Sequence, residues 1–324
     1  MISGDASAAP ARALPLWLAL AAAILIGILT ALQARINGVL GVRLEDGFVA
    51  AAVSFGSGLL ILIVLSLALP GGRRGVRTLV SGVRGHRIPW WMLAGGAAGA
   101  FTVATQGLAV GIIGVSLFSV GVVAGQAVCG LVLDRIGFGP AGVVAVTVPR
   151  LVGGVLALAA VALSLFGDAV RGIPWWMLVL PFFAGVGISW QQGTNGRLRQ
   201  RVGTPLTATL VNFAGGTVLL VLAALVHVGF VGGPAVFPTD PWIYLGGATG
   251  VVYIFLSAAV VASTGVLLLG LGSVVGQLVT SVVIDAVWPA AGSPGILQET
   301  VMVVLALASV AVAAAPWGRM RRSG

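Results

Sequence analysis

Gly121–Asp134 reads GVVAGQAVCGLVLD, and Gly272–Asp285 reads GSVVGQLVTSVVID. Both follow the pattern GxxxGQxVxxxVxD, within a longer match of residues 114–134 to 265–285 at an offset of 151. A second match aligns residues 33–62 on 191–220 without a gap, at an offset of 158. Ten of its thirty positions are identical, among them Gln33/Gln191, Asn37/Asn195, Arg43/Arg201, Phe55/Phe213 and Gly58/Gly216. The chain is one unit written twice. A duplicated polytopic membrane protein has the form of a transporter, because two halves can rock about a pseudo-symmetric site to give alternating access.

Composition supports the membrane reading. Charged residues are 8% of the chain and hydrophobic residues 59%, with a mean hydropathy of +1.12, whereas soluble domains carry roughly 25% charged residues. Recurrent apolar runs are long enough for helices that cross a hydrocarbon core of about 30 Å. We read spans at about 14–34, 47–69, 89–110, 114–134, 143–166, 174–194, 205–230, 241–262, 265–287 and 297–316. The expected fold is an all-α membrane protein of ten transmembrane helices in two inverted five-helix repeats. Residues 14–167 form the first repeat and 168–317 the second, with cytoplasmic tails at 1–13 and 318–324. Short turns are expected around Gly111–Gly114 and at Ser263–Thr264–Gly265, and the arginine-rich stretch 71–88 reads as a solvated loop.

Orientation follows from the arginines, which supply all 17 basic residues. The side shared by both termini collects fourteen of them, including Arg73, Arg74, Arg77, Arg84, Arg87, Arg135, Arg150, Arg197, Arg199 and Arg201 and the terminal Arg12, Arg319, Arg321 and Arg322. The other side holds Arg35, Arg43 and Arg171. This bias places both termini in the cytoplasm, in the inner membrane of a bacterium. Five helices per copy then invert the second copy relative to the first. The net charge of +9 is a topology signal in short loops, so no nucleic-acid partner is expected. The repeated string IPWWML at 88–93 and 173–178 starts helices with Pro and anchors them with interfacial Trp.

Polar groups within spans are the candidate site. Gln126 and Gln277 sit at equivalent mid-span positions, where an amide can face a polar or zwitterionic substrate or bond a neighbouring helix. Gly121, Gly125, Gly272 and Gly276 form small-xxx-small packing faces. Gln33 and Asn37, and their counterparts Gln191 and Asn195, share a helical face and read as two gates; alternatively Asn37–Gly38 and Asn195–Gly196 end their helices. Asp134 and Asp285 close spans four and nine, either in the wet interface or as weak candidates for proton coupling. His86 reads as solvated, and His227 has no second histidine to share a metal. With Cys129 as the one cysteine, an intramolecular disulfide is excluded. No phosphate loop, nucleophile elbow or HExxH motif occurs, and no acid lies in the central part of a span. No enzyme activity, cofactor or metal is expected. The expected partners are a small-molecule substrate and membrane lipids, with a monomer or a homodimer both open.

The block Gln33, Asn37, Arg43, Ala50, Ser54–Phe55 and Gly58, its copy Gln191, Asn195, Thr204–Pro205, Ala208, Asn212–Phe213 and Gly216, and the twin GQ…D helices resemble the YdcZ-like family of the drug/metabolite transporter superfamily. The resemblance covers about 14–316 and implies the fused ten-helix form. It implies a central cavity lined by helices one, three, four, six, eight and nine. It also implies substrates ranging from metabolites and drugs to lipid-linked sugars. The related small multidrug resistance proteins carry an essential glutamate in the first helix; here the nearest polar positions are Gln33 and Gln191. The expected function is a secondary transporter, an exporter of a small metabolite or drug-like solute. A lipid-linked flippase and a non-transporting accessory or scaffold subunit are the alternatives.

Overall fold

A computed structural model describes residues 16–138, 142–143, 145–164, 172–291 and 295–314. The tails 1–13 and 318–324, and Arg12, Arg171, Arg319, Arg321 and Arg322 of the charge count, lie outside the described residues. The regular structure among the described residues is helical: α1 (Leu16–Leu44), α2 (Gly47–Ala68), α3 (Pro70–Arg84), α4 (Gly95–Thr105) and α5 (Gly111–Ile113), joined to α4 by a π-helical turn, then α6 (Val115–Arg135). It continues with α7 (Val148–Ser164), α8 (Trp175–Val202), α9 (Pro205–Val231), α10 (Gly246–Val287) and α11 (Ile296–Ala314). Among the described residues, six helical segments are long and apolar enough to cross a membrane by length and composition: 21–44, 47–68, 90–113, 115–135, 205–231 and 296–313. Shorter apolar helices occupy 148–163, 246–257 and 272–287.

Four local expectations are corrected. Asn37–Gly38 and Asn195–Gly196 do not end helices, because α1 continues to Leu44 and α8 to Val202. Gly38 is instead a close-approach residue: a Cβ there would sit 2.8 Å from the Gly111 nitrogen. The actual stops come later. Gly203 adopts φ +77° after α8, the left-handed conformation that glycine accepts without steric cost. The next helices are then capped by side chains, Asp46 accepting from the Phe48 and Val49 amides and Thr204 from the Leu206 amide.

The arginine-rich 71–88 stretch is not a loop; most of it is α3. Pro70 occupies the first turn, where its missing N–H has no partner to lose. Gly72, Gly75 and Gly82 are buried along one face against Ser66, Thr204 with Thr207, and Ile88. Arg73, Arg74, Arg77 and Arg84 remain exposed on the other. Arg35, counted as a loop residue, is 7% exposed within α1, with its guanidinium 4.8 Å from the Trp288 ring centre.

The junctions after α5 and within α10 differ. Gly114 breaks the helix before α6 with φ 84° and ψ 166°, whereas helical bonding runs through Ser263–Thr264–Gly265 across all 42 residues of α10. Yet α10 is folded back on itself. Trp242 and Trp288, which flank it, have ring centres 5.2 Å apart, while a straight helix of that length would extend about 63 Å. Both arms lie on α1: Gly246 and Gly250 against Asn37 and Gln33, and Gly272 and Gly276 against Ala23 and Ile24.

The copies pack reciprocally. Gly99 lies against Gln191 as Gly250 lies against Gln33, and Gly125 against Phe182 as Gly276 against Ile24. Gly185 meets Val122 and Gln126 as Gly27 meets Ser273 and Gln277. At the centre Phe55 stacks on its counterpart Phe213, ring centres 4.7 Å apart, with Gly216 and Gly58 giving each ring its space. Small residues at these crossings let backbones approach, which drives helix association where lipid is as apolar as the side chains.

Candidate transport site

The paired amides of α1 and α8 are packing groups at buried crossings. Gln33, 1% exposed, donates from Nε2 to the Gly246 carbonyl at 2.9 Å, and Asn37 donates from Nδ2 to Gln106 Oε1 at 2.7 Å. In the second copy Gln191 donates to Asn212 Oδ1 at 3.0 Å, and Asn212 donates to Asn195 Oδ1 at 3.4 Å. A buried amide without such partners is costly, so each network fixes the register of its crossing. Gln106 and Asn212 were not weighed as site residues from sequence. Their signal was present, as polar residues inside apolar spans.

The equivalent glutamines of α6 and α10 stand in unlike surroundings. Gln126 lines a cavity of about 200 Å³ with Ser189 and Gln192 of α8, Ser273 of α10 and Ser309 of α11. Val123, Val274 and Val310 supply apolar wall. Gln277 is 4% exposed and donates from Nε2 to Ser119 Oγ at 3.3 Å. Its neighbours Leu278, Ser281 and Asp285 are buried as well. One copy's glutamine is therefore open to a cavity, and the other's is closed. The cavity is built by α6, α7, α8, α10 and α11. Of the six helices expected to line it, helices four, six and nine contribute as α6, α8 and the second arm of α10; helices one, three and eight do not, and α7 and α11 take part instead.

Asp134 and Asp285 are answered differently. Asp134 lines the cavity and pairs with Arg150 of α7, one of the arginines of the charge count, at 2.8 Å. Asp285 is 3% exposed, and its carboxylate accepts from the amides of Val115 at 3.0 Å and Ser116 at 2.6 Å. It is buried, not in a wet interface, and caps the start of α6, where the helix dipole favours an anion. The two aspartates flank the 21-residue α6, which is about 31 Å long. Glu299, at the start of α11, is 2% exposed and was not weighed from sequence. Gly121, Gly125, Gly272 and Gly276 lie in helix crossings, against Pro181, Phe182, Ala23 and Ile24. Among the described residues no group of His, Cys, Asp and Glu could hold a metal ion. His227 bonds Asp46 at 3.0 Å through Nδ1.

The profile of the family described as "Putative inner membrane exporter, YdcZ" matches residues 18–163 and again 170–314. The chain belongs to the YdcZ family. Like that family, it is a multi-pass membrane protein of the drug/metabolite transporter type, and the family is one of inner-membrane exporters, not of enzymes. The double match makes this YdcZ protein a chain with repeated halves. A solved crystal structure, described only as that of a protein, matches with a TM-score of 0.53 and 21% identity. The match covers 92% of this chain and 96% of the other; it is a likeness of fold. No curated protein matches the chain.

Proposed function

We propose that this YdcZ protein is a secondary transporter that exports a small metabolite or drug-like solute across the inner membrane by alternating access. Its ten spans are α1, α2, α4 with α5, α6, α7, α8, α9, the two arms of α10, and α11. They form inverted repeats over 14–167 and 168–317, with both termini in the cytoplasm. The observation that carries this reading is the contrast of Gln126 and Gln277. Two positions equivalent by sequence are equivalent by packing, yet one lines a cavity while the other is sealed. A rocking exchange of the two environments is the motion that alternating access requires.

The cavity wall supports a solute that is partly polar. Gln126, Gln192 and three serines offer donors and acceptors, and Asp134 with Arg150 offers both charges. An accessory subunit would need no such cavity, and this favours transport. The test is flux into proteoliposomes from a panel of metabolites, amino acids, polyamines and quaternary ammonium drugs. Saturable flux that disappears in a folded Gln126→Leu/Gln277→Leu variant supports the assignment. Flux retained in that variant refutes the site.

A further inference from the structure

The helix α3 presents three different surfaces. At 3.6 residues per turn, the buried Gly72, Gly75 and Gly82 share one side, Val76, Val80 and Val83 the next, and Arg73, Arg77 and Arg84 the one beyond, with Arg74 at its edge. The glycines hold α3 close against the body of the protein, on Ser66, on Thr204 with Thr207, and on Ile88. The valine side is left open: Val80 is 43% exposed and Val83 40%. All four arginines of α3 are exposed, as is Arg87 in the turn that follows. Among the described residues, Arg73 and Arg74 bond only carbonyls of their own segment, at Leu67, Ala68 and Pro70.

The protein supplies these cations with no counterion. Among the described residues none of the five forms an ion pair. No Asp or Glu occurs between Asp46 and Asp134, or between Asp168 and Asp240. The helices that pack on α3, namely α2, α8 and α9, all lie within those stretches. What flanks α3 fixes its depth. The chain leaves α2 past Leu67, 66% exposed, and returns to the helical body at Trp90, 78% exposed. An uncovered apolar helix end on one side and an uncovered Trp on the other mark the level where acyl chains meet headgroups.

From this arrangement we infer that α3 is an interfacial helix that docks on anionic phospholipid headgroups. Val80 and Val83 enter the acyl boundary, and the arginines beside them meet lipid phosphates just above it. A helix with an apolar edge and a basic face lies in the interface in this way, and its binding strengthens on anionic lipid. The charge of the face selects phosphatidylglycerol over a zwitterionic choline or ethanolamine lipid, because each arginine near an anionic surface adds to the attraction. Gly72 and Gly75 clamp α3 to residues of α2 and α9, so the lipid contact bridges the two copies of the repeat. The inference does not depend on the transport reading.

The test uses the full-length protein in lipid vesicles, in a Cys129→Ala background. Val83→Cys on α3, and Leu225→Cys on the exposed side of α9, each carry an NBD fluorophore. Nitroxide-labelled phosphatidylglycerol and nitroxide-labelled phosphatidylcholine are compared as quenchers. At position 83 the anionic lipid should quench at about one-fifth of the mole fraction that the zwitterionic lipid needs, roughly the effect of one arginine at a charged surface. At position 225 the two lipids should quench alike. Raised salt, or Arg74→Gln/Arg77→Gln/Arg84→Gln, should abolish the preference at position 83, and Arg74→Lys/Arg77→Lys/Arg84→Lys should keep it. A label at position 83 that a water-soluble quencher reaches and neither lipid quenches would overturn the interfacial helix. Equal quenching by both lipids there, or the same preference at position 225, would overturn the selection of anionic headgroups. If the glutamine variant does not fold, the salt dependence with the native arginines decides the same point.

Discussion

Gln126 and Gln277 occupy the same place in two copies of one sequence pattern, yet Gln126 faces a cavity of about 200 Å³ and Gln277 donates to Ser119 Oγ at 3.3 Å with 4% exposure. Their counterparts across the helix crossing match, Gly185 against Gln126 and Gly27 against Gln277. The difference therefore lies in how the surrounding helices close around each glutamine.

Single substitutions should separate the two. Gln277→Leu leaves the Ser119 hydroxyl without its donor, a loss of about 1–3 kcal/mol for a buried polar group. It should lower the melting temperature in detergent. Gln126→Leu should leave that temperature nearly unchanged and reduce flux through a weaker KM.

The glycines should sort by their neighbours and not by their shared motif. A Cβ on Gly125 would overlap the Phe182 carbonyl, and one on Gly276 the Ile24 carbonyl. Alanine at either position should destabilise by roughly 1–3 kcal/mol, the usual result of overpacking. Gly130 lies in the same helix as Gly125, with nothing within 4 Å of an added Cβ. Gly130→Ala should be neutral or stabilising by up to about 1 kcal/mol through the unfolded chain. Melting curves of the three variants make the comparison.

Asp46 holds the start of α2 and contacts α9. It accepts from the Phe48 and Val49 amides at 2.9 and 3.0 Å and meets His227 Nδ1 at 3.0 Å. Asp46→Ala should cost about 1–2 kcal/mol, the range for a lost N-cap. Asp46→Asn should restore most of it, since an amide oxygen caps as well. His227→Ala should cost less than Asp46→Ala, and melting of all three variants checks the order.

Asp134 and Arg150 should matter more to flux than to stability. The pair is partly exposed, 33% and 17% by side chain, and such pairs contribute at most about 1 kcal/mol. Asp134→Asn and Arg150→Gln should each reduce flux by leaving an unbalanced charge on the cavity wall. The double variant should recover part of it, and flux assays on the three variants give the answer.

Much of this architecture was legible because apolar length and repeated spacing are local signals. The apolar stretches and the two-copy pattern could be read directly, and the glycines that align by offset are those that pack reciprocally. What was not legible depends on distant partners. Asn37–Gly38 looks like a helix stop, but Gln106 and Gly111 supply the packing that carries α1 onward. The glycines of α3 look like breakers until Ser66, Thr204 and Thr207 appear beside them. Arg35 reads as a loop charge until the Trp288 ring is found against its guanidinium. Of the six amides picked from sequence, Gln126 alone lines the cavity, because the amides at 33, 37, 191 and 195 found partners at helix crossings.

The claim that one mouth is open while its counterpart is sealed can be tested by side-specific thiol accessibility. Ser189→Cys, on the cavity wall, and Ser281→Cys, in the sealed half, would each be placed in a Cys129→Ala background and treated with a membrane-impermeant reagent from either face. The account predicts that the cysteine at 189 reacts from the cytoplasmic face alone in the resting protein. It also predicts that the cysteine at 281 becomes reactive from the opposite face only while substrate is being transported. Equal reactivity of both positions from one face, unchanged by transport, would contradict it.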